Sequence, residues 1–103
     1  MLETFTIDTF RPCIGSAFGV EAAGVPPFEM VLEAVQEIPA AGWRPDEAKN
    51  HRIPFALQLL GPLDFVLPQQ ICQFRHESIG EFDMFIVPVG RSNGGVTYEA
   101  VFS

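Results

Sequence analysis

Positive charge is scarce in this sequence. Six Lys and Arg stand against thirteen Asp and Glu in 103 residues, for a formal net charge of −7. The imbalance is not confined to a tail: residues 1–52 carry eight acids and four bases, residues 53–103 five and two. With no basic stripe, a phosphate backbone or an anionic membrane surface would have to be approached against the domain's own field. Nucleic acid and membrane are therefore not expected partners, and an acidic surface of this kind chiefly confers solubility.

Long hydrophobic runs are also missing, and nothing approaches the ~20 apolar residues of a membrane-spanning helix. The opening residues, Met1 to Asp8, put an acid where a basic leader region would stand, and no apolar run follows. The cytoplasm is the expected location by default, although export by a dedicated machine would leave no mark here. Cysteine is reduced to Cys13 and Cys72. Two thiols far apart, with no leader sequence, read as reduced and buried small hydrophobes rather than a disulfide.

What the chain does have is core-forming material: 48% hydrophobic residues, ten Phe and only 18% charge. That balance is the reverse of a disordered chain, and 103 residues suffice for one core and one domain, spanning 1–103. Nine Gly and nine Pro punctuate it at short intervals, which favours several strands over a few long helices. The expected fold is mainly β, a small antiparallel barrel or sandwich of five or six strands with a short N-terminal helix.

Thr6 or Asp8 can cap one or two helical turns up to Cys13, anchored by Phe5, Phe10 and Ile14. Gly15 turns the chain into a strand at Ser16–Ala22. From Phe28 to Ile38 two periodicities compete. As a strand, Phe28, Met30, Leu32, Ala34 and Ile38 share a face, with Val31, Val35 and three Glu opposite. As a helix, Phe28, Val31, Leu32 and Val35 fall at i, i+3, i+4 and i+7. The longer alternation and the neighbouring strands favour the strand. Residues 39–52 form the longest polar loop. Ile53–Leu60 follows as a strand, then a connection anchored by Phe65 and Leu67. The hairpin Ile71–Glu77 and Glu81–Val89 comes next, and Asn93-Gly94 offers positive-φ residues for a tight turn into Val96–Phe102.

The last two strands are apolar on both faces. Phe82, Met84 and Ile86 lie opposite Phe85, Val87 and Val89, and Val101 lies opposite Ala100 and Phe102. A sheet with one core needs one apolar face. The second implies cover, either from the N-terminal segment with Phe5, Ile7 and Phe10 or from another chain.

Chemistry has few carriers. His51 reads as a solvated loop residue. His76 stands beside Glu77 and across a turn from Glu81 and Asp83, but without the paired spacing of a metal site, and adjacent strand residues point apart. Ser16, Ser78, Ser92 and Ser103 sit in no nucleophile elbow. Cys72 and His76 would be about 13 Å apart along a strand, too far for activation. Residues 90–95 read as a hairpin turn rather than a phosphate loop, for want of a strand–loop–helix setting. No catalytic residue, cofactor or metal is expected. Trp43 and Arg44 have the composition of a contact loop.

The opening residues through Thr6 with Phe10, Gly15 and Phe18, then Pro54-Phe55 with Leu57, Leu67-Pro68-Gln69, His76 and Gly80, lead to the stretch Phe85 to Arg91 and the closing run Tyr98 to Phe102. Together they resemble a family of uncharacterised bacterial proteins of about this length, a domain of unknown function. Its genes are associated with those of phage-tail-collar-like and microcystin-dependence-like proteins. The resemblance implies no catalytic residue; the family usually has an aromatic where this chain has Cys72. The leading expectation is a non-enzymatic structural or protein-interaction module, in which Phe85, Val87, Val89, Val101, Trp43 and Arg44 meet a protein partner or a second copy. The alternative is a β barrel that takes a small apolar molecule.

Overall fold

The computed structural model describes residues 5–38 and 54–102. Helix α1 (Ile7–Phe10) runs into a 3-10 turn at Arg11–Cys13. Six strands follow: β1 (Ala17–Glu21), β2 (Phe28–Glu37), β3 (Phe55–Gly61), β4 (Gln70–His76), β5 (Gly80–Ser92) and β6 (Gly95–Phe102). They close into an antiparallel barrel in the order β1-β2-β3-β6-β5-β4, and the pairs Gly19↔Arg75, Val20↔Phe74 and Glu21↔Gln73 bring β4 back to β1. The expected architecture is present, resolved in favour of a barrel of six strands, and Phe28–Glu37 is a strand.

Strict alternation fills the interior. Phe18, Val20, Met30, Leu32, Phe55, Leu57, Leu59, Cys72, Phe74, Phe82, Met84, Ile86, Val96, Tyr98, Ala100 and Phe102 are all buried, each in the period-2 phase that points inward. The phase fails once in β2. Its register with β3 steps between Leu32 and Ala34, so that Val35 falls opposite Leu57 and packs on the core. The expected face, with Ala34 following Leu32 inward, is overturned there because a bulge inserts one residue and shifts the alternation by one.

The N-terminal segment does not lie on the outer face, as one of the two expected covers would require. It plugs an end of the barrel. Thr6 caps α1, its N–H donating to Thr9 Oγ1 at 3.0 Å, and the turn drives Phe5 and Phe10 onto the inward rings. Phe10 lies 5.9 Å from Phe55, 6.0 Å from Phe82 and 5.4 Å from Phe102, and Phe5 sits 5.2 Å from Phe82. Inward side chains at an open barrel end would meet water, and this plug removes them from it. The opposite end is covered by residues 62–69, which carry the chain from β3 to the non-adjacent β4. Leu67 is buried there, its N–H donating to Tyr98 Oη at 2.9 Å, and Phe65 meets Phe28 edge-on at 5.1 Å.

The β5–β6 turn departs from expectation in detail. Asn93 and Gly94 bridge Ser92↔Gly95, yet neither has positive φ; Gly95 does, at +148°. A Cβ at Gly95 would strike the Gly61 carbonyl oxygen, so the two strand ends approach more closely than any side chain allows.

Two substitutions test the sealed barrel. Phe10→Ala should cost about 3–5 kcal/mol in urea unfolding, as for a fully buried aromatic. Tyr98→Phe should cost about 1–3 kcal/mol by orphaning the buried Leu67 N–H.

Candidate functional site

Closure of β4 onto β1 creates one polar contact that spans sixty residues of chain. Ser16, one residue before β1, meets His76, the last residue of β4, with Oγ and Nε2 2.9 Å apart. The Ser16 hydroxyl donates to the Cys13 carbonyl at 2.6 Å. On the far side of the ring, His76 Nδ1 accepts the Ser78 backbone N–H at 3.0 Å, and the ring lies on Phe18 at 4.5 Å. A cleft of about 490 Å³ opens here between the plug and the β4–β5 turn, with Phe5, Thr9, Pro12 and Ile79 in its wall. A second of about 510 Å³ shares Ser16, His76 and Glu77 and extends to Gly19, Glu29 and Arg75.

A serine beside a histidine invites a nucleophile–base reading, and the hydrogen bonds argue against it. An imidazole acting as base on serine keeps Nε2 free and donates from Nδ1 to an orienting group. Here Nδ1 is an acceptor, so in the neutral ring the proton sits on Nε2 and is donated to Ser16. The serine proton in turn points at a carbonyl. The chain runs His76 Nε2–H to Ser16 Oγ–H to Cys13 C=O, and both nitrogens of the ring are engaged by the protein itself. This is a clasp. It joins the plug, β1 and the β4–β5 turn, and it leaves no basic nitrogen to activate a nucleophile.

The carboxylates near His76 in sequence do not gather on it. Glu81 stands across from Arg75, Oε2 to Nη1 3.8 Å, with both side chains more than half exposed. Among the described residues no group of three or more His, Cys, Asp or Glu is placed to hold a metal ion. Cys13 and Cys72 are free and buried, and burial pushes both thiols up from their ordinary value, away from the reactive thiolate.

The other feature is on the outside of the barrel. Phe85 is 50% exposed, Val101 57% and Val89 52%, while Val87 is half-buried. Ile71, the direct partner of Phe85 across β4–β5, is 65% exposed. Ile71 was not singled out in the sequence, although its alternation with Cys72 and Phe74 carried the signal. Val89 is the residue skipped where the β5–β6 register steps between Pro88 and Gly90. Trp43, Arg44 and His51 lie outside the described residues. The Ser16–His76 contact had no local signal, because it exists only once the barrel closes.

The profile of the family described as "Domain of unknown function (DUF6916)" matches residues 5–102. The chain belongs to that family. No curated protein and no solved structure matches it. The family description attaches no activity to the fold, so function has to be argued from these two surfaces.

Two measurements check the clasp and the thiols. Nitrogen-15 NMR of the neutral His76 ring should show Nε2 protonated and Nδ1 bare; the reverse tautomer would restore the base that the geometry denies. Alkylation followed by mass spectrometry should leave Cys13 and Cys72 unmodified in the folded protein and label both after unfolding.

Proposed function

We propose that this domain is a non-enzymatic protein-interaction module that works through its outer surface, at the strip of Ile71, Phe85 and Val101. One observation carries the reading: the barrel interior is filled by side chains and both ends are covered, yet large apolar residues stand half-exposed outside. Apolar side chains grouped on an exterior are where protein contacts form. The association of the family's genes with those of phage-tail-collar-like and microcystin-dependence-like proteins, which the sequence resemblance implies, supports an accessory place in a tail-like or surface-fibre assembly.

The small-molecule alternative has less to support it. Apolar ligands of β barrels occupy the lumen, and here Phe55, Phe74, Tyr98, Met30 and their neighbours occupy it. The end clefts are open, and the Ser16 hydroxyl proton and both ring nitrogens of His76 already have protein partners.

A photo-crosslinking side chain at position 85, in cells of the native host, should yield a discrete heavier species that is absent with the same group at Glu33 on β2. Ile71→Glu in the same chain should abolish it, since a charge cannot be buried there unpaired. Phe85→Glu itself should fold with stability within about 0.5 kcal/mol of the parent by circular dichroism, as at other exposed sites. Equal adducts from both positions, or none from 85, would contradict the proposal.

A further inference from the structure

The apolar strip has a charge pattern built around it. Ile71 pairs with Phe85 across β4 and β5, and Val101 pairs with Ala56 across β6 and β3. Two residues on from the pair Val87↔Glu99, β5 reaches Phe85 and β6 reaches Val101. Outward side chains at one level on neighbouring strands lie side by side. Ile71, Phe85, Val101 and Ala56 therefore make an apolar row across four strands, the first three exposed and Ala56 half-buried.

Successive outward positions are two residues apart, about 7 Å along a strand. One such step from Phe85 is Asp83, and one step from Val101 is Glu99. Because β5 and β6 are antiparallel, the two carboxylates lie on opposite sides of the row. Both are exposed, and among the described residues neither forms an ion pair. Their cross-strand partners supply no cation: Gln73 stands beside Asp83, and Val87 and Gln58 stand beside Glu99. Arg75, one outward step beyond Gln73, is already turned to Glu81 at 3.8 Å.

These charges choose among occupants. A second copy would meet the row isologously and bring the same two acids again, with −7 on each chain opposing the approach. An anionic bilayer surface meets the same opposition. Resting on the interaction reading above, we infer that the row docks the side-chain surface of a different protein, apolar at its centre and basic on both flanks. One Lys or Arg of that partner answers Asp83 and another answers Glu99. The apolar row supplies the buried centre of the contact, and the two carboxylates set partner choice and the rate of encounter.

The test keeps the photo-crosslinking side chain at position 85 and changes only charge, in extract of the native host. Asp83→Asn with Glu99→Gln should lower the yield of the heavier species about tenfold. Raising NaCl from about 50 to about 500 mM should lower the yield on the parent chain, and much less on that double variant. Glu33→Gln with Glu37→Gln removes the same charge from β2 and should leave the yield within about twofold. All four substituted residues are exposed, and circular dichroism should show the parent fold in both variants. An equal fall in both variants would trace the effect to net charge and overturn the local match to the row. A yield that neither variant changes would overturn the basic partner while the interaction reading stands. An adduct of twice the chain's mass, or a link from position 85 to another part of the same chain, would overturn the separate partner. No adduct at all from position 85 fails the interaction reading, and this inference with it.

Discussion

Phe10 touches Phe5, Phe55, Phe82 and Phe102 together, with centroid distances from 5.4 to 6.0 Å. Much of the molecule depends on that contact. A barrel of this strand number has an interior that side chains can fill, and its weak points are the ends, where inward rings would meet water. Here the four-residue helix is too short to be stable alone. It exists because Phe5 and Phe10 are drawn into the barrel mouth. The aromatic contacts add about 0.5–1.5 kcal/mol each beyond burial, so the plug and the barrel stabilise each other.

The seal has consequences at the surface. With Phe5 and Phe10 packed on the inward rings at the barrel end, neither ring covers the outer side of β5 and β6. The N-terminal segment also brings Cys13 and the residues after it to the β4–β5 turn, where Ser16 and His76 clasp. The Ser16–His76 clasp and the outer apolar surface thus have a common origin. One is the inner hydrogen-bonded result of docking the plug; the other is the apolar surface that docking leaves outside.

The strands were legible because their alternation is strong. Leu57 and Leu59 in β3, or Phe82, Met84 and Ile86 in β5, fall in phase with almost no exception. The bulge in β2 was not legible: Glu33 and Ala34 look like ordinary alternating residues, and only the register with β3 shows that Val35 turns in. Asn93-Gly94 marks the place of the β5–β6 turn, but the positive φ falls on Gly95, because the close approach of Gly95 to Gly61 is a tertiary demand. At the site, the apolar outer face containing Phe85 and Val101 could be read from periodicity alone. The destination of Phe5 and Phe10 could not, since both a core end and an outer face would accept an aromatic ring.

The inward side chains fill this closed barrel, and the proposed contacts therefore belong on its outside. Methyl NMR during titration with a linear fatty acid such as cis-parinaric acid tests that claim on both surfaces in one experiment. The account predicts shifts confined to exterior methyls such as Ile71 and Val101, with Met30, Leu57, Leu59 and Ile86 unmoved. Saturable shifts of those interior methyls at one ligand per chain would show a lumen that opens, and would contradict it.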